Sequence, residues 1–209
     1  MSENKDWTGN RKSVWTTNGC TNHSINEREK NDFYASDPTT LDKLEKKFKI
    51  PHYVYECACG MGHLSEHLKE QGHDVYSSDL IDRGYGVTGV NFLEQLTMPE
   101  VLPAQDVCIL TNPPYSLVTE FILHAIDILP MDAHAIFLLK TTSIEGKKRF
   151  EQIYRNTPPH YVFQFVERII CAKGGDFERT KKEIGAGAQA YCWMVFKKGY
   201  KGPTILDWI

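Results

Sequence analysis

An apolar run, Asp106-Val107-Cys108-Ile109-Leu110-Thr111, ends one residue short of two consecutive prolines, Pro113 and Pro114. Each proline fixes φ and removes a backbone donor, so neither a helix nor a central strand continues through the pair. The run is therefore read as a strand closing in a rigid turn, Asn112-Pro113-Pro114-Tyr115, whose carbonyls can point at a ligand. Strand-like and helix-like stretches alternate around it. A helix enters at Asp37 as N-cap with Pro38 at its first position, carries Leu41, Leu44 and Phe48 on one face, and stops at Pro51. Tyr53 to Cys57 reads as a strand that breaks into the turn Cys59-Gly60-Met61-Gly62, followed by a helix with Leu64 and Leu68 and a cap at Gly72. His73 to Ser78 is a second strand, ending at Asp79. Val118 to Leu129 is an amphipathic helix closed by Pro130, and Ala135 to Leu139 a fully apolar strand. Periodicity predicts another helix over about Ile144 to Tyr154, then closing strands at Tyr161–Ile170 and Ala190–Phe196. This alternation implies an α/β fold with a mostly parallel sheet.

At 209 residues, with 41% hydrophobic and 24% charged side chains, the chain suits one soluble domain with a full core. No apolar run reaches the roughly 20 residues of a membrane helix, and the N-terminus resembles no secretory signal, so a cytosolic location is expected. Six scattered cysteines fit reduced, buried thiols better than a disulfide framework. Cys57, Cys59 and His63 match no common zinc spacing, and no metal is expected. A net charge of −3 does not announce a nucleic-acid binder, but local basic clusters exist at Arg11-Lys12, Lys147-Lys148-Arg149, Lys181-Lys182 and Lys197-Lys198 with Lys201. Taken singly, each reads more readily as a solvated surface. Residues 1–31 are polar and aperiodic, although Trp7 and Trp15 call for burial against something.

The proline turn follows a buried strand, and ligands of open α/β sheets bind beyond the carboxyl ends of their strands. Asn112 brings a side-chain acceptor and Tyr115 a flat ring. Two acceptors can hold both hydrogens of an exocyclic amine, moving its nitrogen from planar towards tetrahedral and freeing the lone pair, while the ring stacks on a planar base. Upstream, Glu56 opens a glycine turn that lets backbone approach a ligand closely. A carboxylate there favours a cationic group such as an ammonium or a sulfonium. Asp79, at the end of the next strand, is placed to take ribose hydroxyls.

Glycine turn, acidic strand end and Asn-Pro-Pro-Tyr in this order resemble the DNA adenine-N6 methyltransferases, and the chain is similar to the small phage and prophage members over nearly its whole length. The resemblance implies a Rossmann-like class I methyltransferase fold: an α/β protein with a mostly parallel seven-stranded sheet and helices on both faces. It implies S-adenosyl-L-methionine as cofactor and DNA with a flipped-out adenine as partner, with no membrane and no obligate protein partner, in a phage or restriction-modification setting. Asn112, Pro113, Pro114 and Tyr115 match the catalytic motif. Asn31 to Pro38, with Tyr34, Ser36 and Pro38, resembles the segment that holds the cofactor's methionine end. Glu56, Cys57, Gly60 and Gly62 match the cofactor glycine motif, and Asp79-Leu80 the ribose-binding one. Asn91-Phe92, within Val90 to Leu93, resembles the segment meeting the cofactor adenine, and Asn112 also faces the cofactor. Cys57 stands where many relatives have proline and Asn91 where aspartate is usual. The same motifs serve cytosine-N4, RNA-adenine and release-factor glutamine methylation, and a non-catalytic cofactor-binding regulator is the non-enzymatic reading. Residues 1–31 are expected to include a lid over the cofactor at 7–23, residues 32–209 to form the catalytic domain, and 172–187 to contact the target.

Overall fold

The computed structural model describes residues 34–173, 177 and 189–209. In chain order the elements are β1 (Tyr34–Ser36), α1 (Thr39–Glu45), β2 (Tyr53–Glu56), α2 (His63–Glu70), β3 (Asp74–Asp79) and β4 (Val87–Thr88). Then come β5 (Val107–Thr111), α3 (Val118–Ile128), β6 (His134–Lys140), a short α4 (Lys147–Arg149), β7 (Tyr161–Gln164), β8 (Cys171–Lys173), β9 (Tyr191–Lys197) and β10 (Ile205–Trp208). Eight of the strands form one sheet in the order β10-β7-β9-β6-β5-β2-β3-β4. Strand β9 runs antiparallel to both its neighbours, and every other pairing in this sheet is parallel. The sheet has eight strands against the seven implied by the resemblance, and its two edges are two-residue β4 beside β3 and β10 beside β7.

Side-chain alternation builds the two core layers. Successive strand residues point to opposite faces, so Ala135, Phe137 and Leu139 of β6 join Cys192, Met194 and Phe196 of β9 under α3. Ile136 and Leu138 join Trp193 and Val195 against Leu41 and Leu44 of α1 and Leu64 and Leu68 of α2. Helices thus cover both faces. Asp37 anchors the start of α1 by accepting from the Thr39 N–H at 3.0 Å. Beyond α2, Gly72 takes φ +94, and the N–H of His73 reaches back to the Leu68 carbonyl at 3.0 Å. That left-handed residue closes the helix where a side chain with a Cβ would be strained.

Two expectations change. The helix foreseen over Ile144–Tyr154 is instead a 3₁₀ turn (Thr141–Ile144), the three-residue α4 and a π-helical turn (Phe150–Tyr154). Gly146, at φ +127, interrupts the spiral, and the Arg149 guanidinium and Tyr154 hydroxyl take carbonyls of the preceding turn. The strand foreseen over Tyr161–Ile170 stops at Gln164, and the chain leaves the sheet so that β8 can pair antiparallel with β1. Neither β1 nor β10 was foreseen. The expected lid at 7–23 lies outside the described residues, as do Arg11-Lys12, Lys181-Lys182 and most of 172–187. Among the described residues, no helix is long and apolar enough to cross a membrane.

Candidate active site

The chain visits β2, β3 and β4 in one direction across the sheet and then returns to place β5 on the other side of β2. That reversal opens a crevice beyond the carboxyl ends of β2 and β5, where open α/β sheets bind ligands. Glu56 ends β2 and Asn112 follows β5, so they flank it. A cavity of about 450 Å³ occupies this crevice, within the roughly 300–1,000 Å³ of small-molecule sites. Its wall includes Ser36, Glu56, Cys57, Asp79, Leu80, Asn91, Phe92, Asn112 and Pro114. Of the other residues singled out in the sequence, Pro38, Gly60, Gly62, Pro113 and Tyr115 do not line it.

The glycines shape the wall without facing the cavity. Gly62 adopts φ +82, and a Cβ there would lie 2.5 Å from the Tyr85 ring, so the close approach of turn and ring demands glycine. The Gly60 N–H donates to Asp79 Oδ2 at 2.8 Å, tying the turn after β2 to the end of β3. Asp79 Oδ1 accepts from the Ile81 N–H at 2.8 Å and from Arg83 at 2.9 Å. Asp79, the carboxylate expected from sequence to take ribose hydroxyls, is in this structure a clamp between the turn after β2 and the loop after β3.

Glu56 is buried, and its pKa is raised from 4.5 to about 8, chiefly by desolvation. Hydrogen bonding from Ser65 opposes that rise, and Ser65 bonds in turn to Ser77 at 2.7 Å. The nearby Asp79 charge adds to the rise and Lys69 counters it. A cation entering the cavity would reverse the balance and favour the carboxylate. The thiols beside Glu56 are held protonated: burial pushes Cys57 well up and Cys59 to about 12. Among the described residues no group of His, Cys, Asp and Glu is arranged to hold a metal.

On the opposite wall, β1 lays Ser36 across the proline turn, and Asn112 Nδ2 donates to Ser36 Oγ at 2.9 Å, which fixes how the amide is turned. Asn91 caps a 3₁₀ turn: its Oδ1 accepts from the Leu93 N–H at 3.2 Å and its Nδ2 donates to Glu94 at 2.8 Å. Phe92 is buried beside it, 5.0 Å from the Phe121 ring. Tyr115 stands between Pro114 and Ser116, which line the cavity, without lining it itself. Its ring lies 6.3 Å from that of Tyr191, and the Lys140 ammonium sits 4.6 Å above it.

No family model matches the sequence, and no curated protein does. Solved structures do match. A type I restriction-modification methyltransferase subunit from Streptococcus thermophilus superposes with a TM-score of 0.55 at 14% identity, over 84% of this chain and 47% of that one. A chain named as a type I restriction enzyme modification subunit from Vibrio vulnificus gives 0.52 at 15% identity, over 90% and 48%. A chain named as a class I S-adenosylmethionine-dependent methyltransferase from Listeria monocytogenes gives 0.52 at 14%, over 82% and 62%. The chain therefore spans between about half and two thirds of these proteins' lengths. The fold is the Rossmann-like class I methyltransferase fold.

Within that fold, several lining residues carry no motif and were missed as site residues. His63 opens α2 at the cavity wall, its pKa lowered by burial, with Phe177 edge-on at 5.3 Å. Arg83, Ile81, Leu117 and Phe121 also line the cavity, from loops and from α3. A position three or four residues beyond a strand end was the available signal for Arg83; Phe121 reads only as core.

Proposed function

We propose that this protein is an S-adenosylmethionine-dependent methyltransferase acting on the exocyclic amino group of adenine in DNA. One observation carries the reading. Asn112 of Asn-Pro-Pro-Tyr stands at the rim of the switch-point cavity that the Glu56 turn, Asp79 and Asn91-Phe92 also line. The cavity's chemistry fits the cofactor. Glu56 is a buried carboxyl that a cationic methionine end would ionise, Asp79 offers carboxylate oxygens at a strand end, and Phe92 gives an apolar wall beside the amide of Asn91.

In this assignment Glu56 meets the cofactor's ammonium, Asp79 its ribose hydroxyls and Asn91-Phe92 its adenine, with Cys57, Leu80 and Ser36 as contact surface. The glycines Gly60 and Gly62 shape the turn, and Pro38 and Tyr34 flank Ser36. Bound there, S-adenosylmethionine supplies an electrophilic methyl group. Asn112 and the Pro113 carbonyl accept the two amino hydrogens of the target and direct the nitrogen lone pair at that methyl. Pro113 and Pro114 keep the turn rigid, and Tyr115 offers its ring to the extruded base. Transfer would form the N–C bond as the sulfonium's S–C bond breaks with its electron pair left on sulfur as a neutral thioether, and the methylated nitrogen, then cationic and acidic, would lose one proton to solvent, so no tuned general base precedes attack. A base paired in a duplex must first leave the stack, at a cost of a few kcal/mol.

The test is transfer of labelled methyl from the cofactor to DNA, RNA and protein, followed by nucleoside analysis. N6-methyladenine in DNA is the expected product. Label only in N4-methylcytosine, RNA or protein would reassign the substrate, and no transfer with the cofactor bound would leave a non-catalytic binder.

A further inference from the structure

We infer that Lys147 and Lys148, on the segment that follows β6, form a phosphate-tracking face that guides duplex DNA to the Asn112–Tyr115 turn. The inference rests on the nucleic-acid reading above and assigns the contact to an element other than the 172–187 segment.

Three observations carry it. The first is charge that the fold leaves unspent. Of the basic clusters in the described residues, the C-terminal one is consumed internally. Lys197 pairs with Asp132 at 2.9 Å, Lys198 donates to the Asp127 and Leu129 carbonyls at 2.7 Å each, and Lys201 donates to the Asn156 carbonyl. Lys147 and Lys148 are exposed, and among the described residues neither meets a carboxylate. Residues 145–155 hold four Lys and Arg against two Glu, in a chain whose net charge is −3. One of those carboxylates, Glu151, is neutralised by Arg155 at 2.6 Å.

The second is location. β6 lies beside β5 in parallel, so its carboxyl end opens on the same edge as the proline turn. Lys140 ends β6 and holds its ammonium over Tyr115, and the chain reaches Lys147 seven residues later. The π-helical turn after Arg149 packs against α3, which starts three residues after Tyr115. The lysines are therefore tethered on both sides to elements of the catalytic turn.

The third is preorganisation. Arg149 directs its guanidinium inward, donating to the carbonyls of Ser143 at 3.0 Å and Glu145 at 2.9 Å, while Tyr154 holds the Ser143 carbonyl at 2.6 Å. Ile153 is buried below. Two lysines on a stiffened projection, with Phe150 49% exposed beside them, suit a polyanion backbone better than a protein groove.

Cations that neutralise phosphates release counterions, so each contact contributes about 0.9 to the slope of log affinity against log salt. The experiment compares wild type, Lys147→Gln/Lys148→Gln and, as control, Lys197→Gln in duplex-DNA binding across a salt series, with cofactor binding measured on the same samples. The double variant should lose about two units of slope and about tenfold in affinity per lysine near 0.1 M salt, with cofactor binding unchanged. Lys197→Gln should keep the wild-type slope. Wild-type binding with an unchanged slope in the double variant would overturn the inference while leaving the methyltransferase reading intact. Absence of wild-type binding to DNA, or preference for duplex RNA, would overturn the DNA substrate itself.

Discussion

Glu56 makes the sharpest statement a single residue offers. The folded protein holds a proton on it up to about pH 8, whereas an unfolded carboxyl releases it near 4.5. The unfolded state therefore binds fewer protons in that window, and stability must fall as pH rises through it, by up to about 1.4 kcal/mol per unit. Glu56→Gln removes this dependence. Urea unfolding at pH 5, 6 and 7 should show the variant gaining on wild type at each step, and parallel profiles would refute a proton held by burial. At the catalytic turn, Asn112→Ala should abolish methyl transfer while sparing DNA binding. Tyr115→Phe keeps the ring that Lys140 covers and should stay substantially active, whereas Tyr115→Ala should lose most activity, less on mismatched duplexes where extrusion is cheap. Single-turnover transfer on matched and mismatched duplexes separates them: equal losses for both Tyr115 variants would make the hydroxyl, not the ring, the working part. The places of Glu56 and Asn112 on the cavity wall were legible because both sit in motifs at strand ends. Arg83 and His63 were not, since their place on the wall depends on where a loop and a helix start come to rest.

Among elements, the buried strands were the readable part, because continuous apolar runs such as Ala135–Leu139 have one stable place, between two helical layers. Short elements stabilised from outside were not readable. The three residues of β1 carry no period of their own and exist because β8 pairs with them, and that pairing is what brings Ser36 onto Asn112. Likewise Ile144–Tyr154 has helical spacing, yet Gly146 and the carbonyl bonds of Arg149 and Tyr154 divide it into three kinds of turn. The reversed strand β9 is the element on which both layers lean. Its Trp193 is fully buried and donates its indole N–H to the Thr40 carbonyl of α1 at 3.2 Å. Trp193→Ala should cost about 3–5 kcal/mol. Trp208→Ala, on the rim strand β10 and 55% exposed, should stay within about 0.5 kcal/mol. Denaturant midpoints read both, and comparable costs would contradict β9 as the keystone of the sheet.

At the scale of the molecule, the cavity is assembled from parts distant in sequence. Ser36 comes from β1, Glu56 and Asp79 from successive strand ends, Phe92 from a 3₁₀ turn, and Asn112 from the far side of the switch point. A ligand touching all of them bridges segments from residue 36 to residue 112, and so binds the folded state while finding no site in the unfolded chain. Such a ligand stabilises by mass action, by about 2.7 kcal/mol at one hundred times its dissociation constant. In a domain of this size each kcal/mol is worth about 2–4 °C in melting temperature, so saturating S-adenosylmethionine should raise the melting temperature by roughly 5–11 °C. The shift must follow the residues that hold the cofactor. Asp79→Ala removes a carboxylate that would take ribose hydroxyls and also frees the Gly60 N–H, so it should lower the apoprotein's melting point and shrink the ligand-induced rise. Lys147→Gln should do neither, being outside the cavity. Calorimetric melting of the three proteins, with and without cofactor, distinguishes the cases. A full ligand-induced rise in Asp79→Ala would mean that the cofactor lies elsewhere, and the assignment of the switch-point cavity would fall with it.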